Sequence, residues 1–575
     1  MKHLSARVRP ASLAGLLVLL SLLLGPGARG QAPAWQMATA FSPTNALSYA
    51  SEARATATDA AGNVYVAGLF SGTATFGAVT LTSAGGTDVF IAKYNPRTAS
   101  LAWVQQAGGP GSDVATGIAV TGSSVYVAGF FTGTAAFGGF GLTSAGAEDG
   151  FVAKLTDAGT AATFTWAQAL GGTGSDRVYG LAVNGTGVYA AGFFSGTAAF
   201  GSAALTTAGS IDAFVVKLVD AGASPSLAWA QRGGGAGPEV VTGLALSGSS
   251  VYLTGYFIGT ASAFGATSIA SVGGTDVFVA KLTDGVSAGT FVWAQGAGGL
   301  SDDYAFGLAA AGASVYVVGR FTSRPAAFGT TTLTNSTVGT TLSDVFVAKL
   351  TDAGATGAFV WAQQAGGTDD DVAVSVAVRG PNVYVAGFFN SRTATFGTTT
   401  VTTAGAFDVF VTKLLDAGAT STFAWTQTGG GTGTETCYAL ALGGSSVYAA
   451  GSLAAPSTFG GTTVTGAFGG LVGYLASLTD PTLTATAAAP SSLSFALAPN
   501  PARAATTLTL PARPGAATAT LTLLDALGRT LRIETLPLPA AGLRHEISLS
   551  GLPASLYALR VTAGPATATR RLVVE

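Results

Sequence analysis

The chain repeats one pattern at intervals of 61 to 68 residues, and this repetition constrains its fold more than any other feature. Self-similarity at a fixed period indicates an array of one supersecondary unit. Tryptophan marks the repeat at Trp35, Trp103, Trp166, Trp229, Trp293, Trp361 and Trp425. The tyrosine of a V-Y-x-x-G motif recurs at Tyr65, Tyr126, Tyr189, Tyr252, Tyr316, Tyr384 and Tyr448. A Phe-Gly pair recurs at Phe76, Phe137, Phe200, Phe264, Phe328, Phe396 and Phe459.

Each unit contains four short apolar runs, which in the second full unit are TGIAV, VYVAGFF, GFVAKL and FTWAQAL. The runs are rich in β-branched and aromatic residues and are bounded by turn-forming residues, which is typical of strands. They are apolar on both faces, as expected for sheets that are covered on both sides. Four-stranded sheets packed face to face around an axis have this property, so the pattern predicts an all-β propeller.

The third run of each unit carries the motif D-V-F-V-A-K. Its aspartates are Asp88, Asp149, Asp212, Asp276, Asp344 and Asp408, and its lysines are Lys93, Lys154, Lys217, Lys281, Lys349 and Lys413. We interpret GGLVGYL as the seventh copy, with Gly469 in place of the aspartate and Tyr474 in place of the lysine. We expect the aspartates to cap Gly-rich turns, and the lysines to pair with them or to lie on a solvated edge. The repeated Trp and Tyr are expected in the core or between blades.

The phase of the repeat predicts ring closure. The chain after residue 30 begins with a Trp run around Ala34 to Ala38 that has no earlier partner in its unit. The last unit has its first three runs but no Trp run after them. If the N-terminal strand completes the last sheet, the array closes into seven four-stranded blades and leaves no open end face.

These motifs resemble the bacterial seven-bladed β-propeller repeat over about residues 35–477. The segments AGGPGSDVATGIAV, DAAGNVYVAG and TDVFIAK follow the pattern of that family. The resemblance implies the fold of residues 31–477 and an extracytoplasmic location, and it implies little about function.

Residues 1–30 have the features of a signal peptide, with a basic start, the apolar run ASLAGLLVLLSLLL and the small residues Ala28 and Gly30 before the expected cleavage site. The run is short for a bilayer span, and we expect no transmembrane segment once it is removed. Residues 478–490 are rich in Thr, Ala and Pro and are predicted to be a linker.

Residues 491–575 show short alternating strands with Pro and Gly turns, which predicts a small, Ig-like β-sandwich. Asn500-Pro501, Asp525 with Gly528-Arg529, Leu556-Tyr557 and Arg570-Arg571 resemble the C-terminal sorting domain of type IX secretion substrates. Ala498 stands where that family usually has an aromatic residue. The resemblance implies a Gram-negative host, passage through the periplasm, recognition by the type IX machinery, and a final location in the medium or on the outer cell surface.

Composition excludes several function classes. The net charge is -2 and only 9% of residues are charged, so no basic surface for nucleic acid is expected. Cys437 is the only cysteine, which excludes an intramolecular disulfide. The histidines are His3 and His545, so residues 31–477 lack the imidazole of Ser-His-Asp and Cys-His catalysis and of His-ligated zinc. We therefore expect no catalytic residues and no organic cofactor.

An acid lies thirteen residues before each repeat tyrosine, at Glu52, Asp113, Asp176, Glu239, Asp303, Asp371 and Glu435. If the first strand is innermost, these seven carboxylates would ring one mouth of the central channel and could hold a hard cation such as Ca²⁺. The alternative, which we favour, is that each acid accepts backbone N–H groups in the turn between two blades.

The leading functional hypothesis is a secreted or surface-exposed, non-catalytic binding or adhesion scaffold that contacts a glycan or a surface protein. This hypothesis rests on the fold. The alternatives are a polysaccharide-acting enzyme that uses carboxylates unique to one blade, and a purely structural surface protein. Insertions at Arg324-Pro325 and from Asn335 to Leu342 make two loops longer than their counterparts, and a specific site is expected first near them.

Overall fold

The computed structural model describes residues 32–43, 51–337, 341–454, 456–465, 470–483, 495–511, 518–525, 529–539, 542–563 and 566–575. The chain divides into two compact units between Leu483 and Thr484. All regular elements of the described residues are strands, which confirms the all-β prediction. The predicted signal peptide and most of the predicted linker lie outside the described residues.

The first unit is a propeller of seven blades. Blade 1 consists of Ser51–Thr58, Val64–Phe76, Val79–Asn95 and Ser100–Ala107, and blade 2 of Asp113–Thr121, Ser124–Phe131, Asp149–Asp157 and Ala162–Gly172. Blade 3 consists of Arg177–Asn184, Gly187–Phe200, Ala203–Asp220 and Pro225–Gly233, and blade 4 of Glu239–Ser247, Ser250–Phe257, Asp276–Asp284 and Gly289–Gly299. Blade 5 consists of Asp303–Ala311, Ser314–Phe321, Asp344–Asp352 and Gly357–Gly366, and blade 6 of Asp371–Arg379, Asn382–Phe389, Asp408–Asp416 and Ser421–Gly431. Blade 7 consists of Glu435–Gly443, Ser446–Leu453, Val472–Thr479 and Trp35–Ala40.

The strands of each blade pair antiparallel in the order first, second, third, fourth. The first strand of each blade contacts the first strand of the next, and that of blade 7 contacts that of blade 1. The first strands are therefore innermost, and they surround a central channel.

The N-terminal strand Trp35–Ala40 closes the ring. It pairs antiparallel with Val472–Thr479, where Trp35 lies opposite Leu478 and Ala40 lies opposite Tyr474. The Trp35 ring packs edge-on against Phe459, with 5.1 Å between the ring centroids. The predicted closure of the seventh blade by the N-terminal strand is thus confirmed.

The Phe-Gly pairs lie in short hairpins between the second and third strands. The hairpin strands are Thr134–Phe137 and Phe140–Thr143, Ser262–Phe264 and Thr267–Ile269, Ala326–Phe328 and Thr331–Leu333, Ala394–Phe396 and Thr399–Val401, and Ser457–Phe459 and Thr462–Val464. A separate short strand, Ser42–Pro43, precedes blade 1 and pairs with the end of its second strand. In blades 1 and 3 the hairpin is continuous with the two long strands that flank it. Gly138 turns the chain with a φ of 61°, a conformation that favours glycine. Phe137 is buried against Phe151, so each hairpin contributes an aromatic side chain to the core.

The register of blade 7 corrects our alignment of the seventh copy. Lys413 lies opposite Tyr384 in blade 6, and Ser477 lies opposite Tyr448 in blade 7. Ser477 therefore takes the place of the repeat lysine, and Val472, opposite Leu453, takes that of the aspartate. Our assignment of Gly469 and Tyr474 to these positions is wrong by three residues. The third strand also continues to Thr479, two residues past the predicted end of the propeller.

The second unit, from Thr484 to the C-terminus, is a two-sheet β-domain. One sheet contains Ala496–Ala498, Ala505–Leu510 and Leu543–Ser548, and the other contains Thr530–Pro537, Thr518–Leu524, Ser555–Ala563 and Ala566–Val574. Asn500 fastens the segment between the first two strands to the last strand, because its amide donates to the Arg571 carbonyl over 2.7 Å and accepts from the Val573 N–H over 2.9 Å.

Candidate functional site

The most regular polar site of the propeller lies between successive blades and is structural. Asp157 of blade 2 accepts hydrogen bonds from Tyr65 Oη at 2.7 Å, Lys93 Nζ at 2.6 Å and Trp103 Nε1 at 2.9 Å, all from blade 1. Equivalent Lys–Asp pairs join Lys154 to Asp220, Lys217 to Asp284, Lys281 to Asp352, Lys349 to Asp416 and Lys413 to Asp480. The repeat lysines thus pair with an aspartate of the next blade, and our expectation that they pair with the aspartate of their own motif or lie on a solvated edge is wrong.

The seam between blades 7 and 1 lacks both members of this ion pair. Ser477 stands at the lysine position, and Pro96 stands at the aspartate position by its place relative to Lys93. Tyr448 and Tyr94 share one hydrophobic cluster there instead. Lysine and aspartate are lost together, so no buried charge is left without a partner.

Six of the seven acids expected to ring the channel occupy equivalent places, and these places are buried. Asp113 is 0% exposed, and its Oδ2 accepts the Gly109 N–H over 2.7 Å. The same contact to a glycine N–H is made by Asp176, Glu239, Asp371 and Glu435. Asp303 instead accepts the N–H groups of Thr322 and Ser323. These contacts are those expected if the acids stabilise turns, and the acids do not line the open channel.

Glu52 does not belong to this set. Ser51 lies opposite Phe70 in blade 1, just as Asp113 lies opposite Phe131 in blade 2, so Ser51 is the counterpart of Asp113. The spacing of thirteen residues misled us because the hairpin turn of blade 1, at Asp59 to Asn63, is one residue longer. Ser51 Oγ accepts from Gly473 N and donates to the Phe41 carbonyl, whereas Glu52 pairs with Arg54 over 2.6 Å.

Each of the six equivalent acids faces the motif aspartate of the preceding blade across a glycine. A Cβ at Gly108 would lie 2.7 Å from Asp88 Cγ and 2.8 Å from Asp113 Oδ2. The other carboxyl pairs are Asp149 with Asp176, Asp212 with Glu239, Asp276 with Asp303, Asp344 with Asp371 and Asp408 with Glu435. In five of the six pairs, a buried carboxylate oxygen has no hydrogen-bond partner among the described residues.

Burial raises the pKa of several acids in these pairs, and for Asp113, Glu239, Asp371 and Glu435 the neighbouring carboxylate adds to the rise. The pKa rises to about 7 for Asp113, Glu239, Asp371 and Glu435. It rises to about 6 for Asp176, Asp276 and Asp344, mainly through burial. Two carboxyl groups this close share a proton more readily than they both ionise. Among the described residues, no group of three or more His, Cys, Asp or Glu side chains is arranged to hold a metal ion.

The motif aspartates also stabilise the turns that precede them, as expected. Asp88 Oδ2 accepts the Ala84 N–H over 3.1 Å, and Asp408 Oδ2 accepts the Ala404 N–H over 2.8 Å. Both carboxyl groups of a pair therefore have a local structural role.

The channel mouth has different chemistry, because it is lined by positions at which the blades differ. A β-bulge in each first strand turns one residue into the channel. These residues, which we call the mouth ring, are Arg54, Thr116, Tyr179, Thr242, Phe306, Val374 and Tyr438. Together with Tyr256 they line a cavity of about 330 Å³.

Two residues further along each first strand, the channel lining is almost wholly apolar. This level is formed by Thr56, Ile118, Leu181, Leu244, Leu308, Val376 and Leu440. A ligand at the mouth would therefore have Leu, Ile and Val side chains below it.

Two arginines near the mouth stack on aromatic rings, at the seams between blades 2 and 3 and between blades 7 and 1. Arg177 is held by Glu148 through two hydrogen bonds of 2.7 and 2.8 Å and lies over the Phe130 ring at 4.4 Å. Arg54, paired with Glu52, lies over the Tyr438 ring at 5.3 Å. Each of these arginines has its own carboxylate, so the aromatic rings beside them are positioned without excess local charge.

A cleft of about 590 Å³ adjoins the mouth at blade 5. Its walls include Asp302, Tyr304, Arg320, Thr322 and Asp370. It also includes Thr341, which belongs to the inserted loop near which we expected a specific site. Arg320 stacks over Tyr304, with its Cζ 4.9 Å from the ring centroid. Sequence reasoning missed Tyr304 and Arg320, although both positions depart from the residues that other blades carry there.

Comparison with known families decides the role of the second unit. Its residues 496–575 match the model of the secretion system C-terminal sorting domain. The chain ends in a sorting domain. The protein is therefore exported to the outer surface or beyond it through recognition of this domain by the type IX secretion machinery of Gram-negative bacteria. No helix among the described residues is long and apolar enough to cross a membrane.

Other comparisons are weaker. Over 301 residues the chain is 28% identical to the regulatory protein FlaEY of Caulobacter vibrioides, a match that spans 50% of this chain and 30% of that protein. The chain thus spans about a third of that relative. A Trypanosoma rangeli sialidase mutant displaying trans-sialidase activity aligns over 95% of this chain and 88% of its own at 10% identity. The TM-score of this alignment is 0.30.

Proposed function

We propose that this exported protein is a non-catalytic binding module whose ligand sits at the channel mouth. The observation that supports this most is the difference between blades at the mouth ring. Residues that serve the blade itself, such as Tyr65 and Trp103, recur in every unit. The mouth ring instead combines Tyr179, Phe306 and Tyr438 with smaller residues, and a structural role common to all blades does not require such a combination.

The ligand chemistry follows from the lining. Half-buried aromatic rings offer flat apolar faces with polar edges, as they do where proteins bind sugars and other ligands with one apolar face. The cavity of about 330 Å³ accommodates one ring-sized group, and Leu, Ile and Val side chains lie in the level below it. We propose a glycan as the ligand, with one sugar ring in the mouth.

The test is a glycan-array screen of the full mature chain, followed by calorimetric titration of the best ligand. Replacing Tyr179 or Phe306 by Ala is expected to weaken binding by about tenfold or more, since each replacement removes one stacking face. Val374→Ala is the matched control, because Val374 lies in the same ring and offers no aromatic face. Equal affinity of all variants, with unchanged melting temperatures, would place the ligand elsewhere.

The same samples also test the alternative that the protein is an enzyme acting on polysaccharides. A binding module leaves the glycan intact during prolonged incubation. Release of new reducing ends by the wild-type chain, abolished in a variant of one carboxylate such as Asp302→Asn, would replace the binding proposal by a polysaccharide-acting enzyme.

A further inference from the structure

We infer that the cleft at blade 5 is a subsite for the carboxylate of an acidic sugar unit, with Arg320 as the group that receives it. This inference deepens the proposed function and rests on it. The arginines near the mouth differ in whether a carboxylate pairs with them. Arg54 and Arg177 are paired with Glu52 and Glu148. Arg320 forms no ion pair with a described residue, and its buried Nε has no hydrogen-bond partner among them.

Arg320 is held ready for a ligand. Its guanidinium stacks over Tyr304, which orients the plane of the N–H donors without using them. A guanidinium has five N–H donors in a fork that matches a carboxylate. A carboxylate in the cleft would accept from the N–H groups on the cleft side of this fork.

The cleft is continuous with the proposed sugar site. The Tyr304 ring lies 4.9 Å from Tyr256 and stacks on Phe306 at 6.3 Å with an interplanar angle of 5°. Tyr256 and Phe306 line the mouth, whereas Tyr304 and Arg320 line the cleft. A chain of sugar rings can therefore follow one row of aromatic faces from the mouth to Arg320.

The other charges of the cleft narrow the ligand class. Asp302 Oδ1 accepts the Thr275 N–H over 2.9 Å, and Asp370 Oδ1 accepts from Ser343 N at 3.0 Å and Oγ at 2.8 Å. These carboxylates are fixed in place, and their second oxygens can accept ligand hydroxyls. They repel a ligand with many negative charges, such as a sulfated polymer. A sugar unit with one carboxylate and several hydroxyls, such as a uronic acid, suits a cleft that holds one arginine and two aspartates.

The test compares oligogalacturonate with its methyl ester, which keeps the sugar rings and removes the charge, by calorimetry with the full mature chain. The wild-type chain is expected to bind the acid at least tenfold more tightly than the ester. Arg320→Gln is expected to abolish this preference while binding of the ester changes little. The same titration with oligomers of glucuronate shows which of the two uronic acids, galacturonate or glucuronate, supplies the carboxylate.

Two controls separate this inference from the proposed function. Phe306→Ala should weaken acid and ester alike, because it acts in the mouth. Arg320→Lys keeps the charge but not the fork, and it should retain only part of the preference. Equal binding of acid and ester, tighter binding of a sulfated oligomer, or a preference that survives in a folded Arg320→Gln variant would overturn the carboxylate subsite. Binding of neutral glycans that depends on Phe306 would still support the mouth as a binding site.

Discussion

Lys93 of blade 1 and Asp157 of blade 2 meet at 2.6 Å, and the same carboxylate also accepts from Tyr65 and Trp103. The repeat motifs that define a blade in the sequence thus converge on a residue of the next blade. Burial raises the pKa of Asp157, and the hydrogen bonds from Lys93, Tyr65 and Trp103 more than offset it, so the pKa is lowered. This arrangement sets the register between successive blades.

Removing one carboxylate of this series should strongly destabilise the propeller. In Asp220→Ala, Lys154 remains buried without its counter-charge, and Tyr126 and Trp166 lose their acceptor. We expect a loss of about 3–5 kcal/mol in the free energy of unfolding, seen as a lower melting temperature by calorimetry. The double variant Asp220→Leu with Lys154→Met should recover much of the loss. A double variant as unstable as Asp220→Ala would show that the ion pair itself is not the cause.

Trp35→Ala should destabilise the closed ring. Trp35 is 5% exposed, packs on Phe459 and donates its Nε1–H to the Thr428 carbonyl over 2.7 Å. We expect a loss of about 3–5 kcal/mol, as for other buried Trp-to-Ala replacements, together with self-association measured by light scattering. Gln36→Ala, on the exposed side of the same strand, is the control. Removal of residues 31–45 should have the larger effect of the two, because the strand edge is then uncovered. An unchanged melting temperature after that truncation would contradict closure.

Stability should decrease between pH 5 and pH 8. A carboxyl group with a raised pKa contributes stability that is complete below its unfolded value, near 4, and is lost as the pH rises through its folded value. For Asp113, Glu239, Asp371 and Glu435 that folded pKa is about 7. Asp220, with a pKa lowered to about 2, acts in the opposite sense and loses its contribution only in strong acid. Melting temperatures at pH 5, 6.5 and 8 measure the net effect of the acids with raised and with lowered pKa on stability.

The double variant Asp113→Asn with Asp371→Asn should make the melting temperature less dependent on pH. In two of the six pairs only one carboxyl group then remains to titrate. A wild-type protein that is more stable at pH 8 than at pH 5 would contradict the assignment. The same scans at pH 8 with calcium and with a chelator test the cation hypothesis. A saturable rise with calcium would show that a cation compensates the paired carboxylates. We expect neither addition to shift the melting temperature.

Deleting residues 491–575 should leave the propeller folded and abolish its release across the outer membrane. The sorting domain has its own hydrophobic core, which includes Leu508, Leu521, Tyr557 and Leu559. Fractionation of a type IX-competent host, with detection of the propeller in periplasm, outer surface and medium, gives the measurement. Equal arrival of the full-length and truncated chains at the surface would contradict the role of the domain.

The blades were predictable from the sequence because Trp, Tyr and Phe-Gly recur with the period of the fold. The partner of Lys93 was not predictable from the sequence. Asp157 lies in the next unit, whereas the unit of Lys93 itself contains a nearer aspartate, Asp88. Glu52 shows a second limit of sequence-based prediction. The turn of blade 1 is one residue longer, so the residue thirteen positions before Tyr65 is Glu52 and not Ser51, the true counterpart of Asp113. Arg320 shows a third, because a site built from differences between blades leaves no repeated signal.

The strand Trp35–Ala40 has a consequence for how the chain reaches its final form. It is made first, yet its partner Val472–Thr479 follows only after six other blades. Contacts so distant in sequence form slowly. Until the third strand of blade 7 is available, Trp35–Ala40 has no strand to pair with. The two are joined only when nearly the whole propeller is available, just ahead of the tail that the secretion machinery recognises. A chain truncated anywhere before Val472 has no way to close.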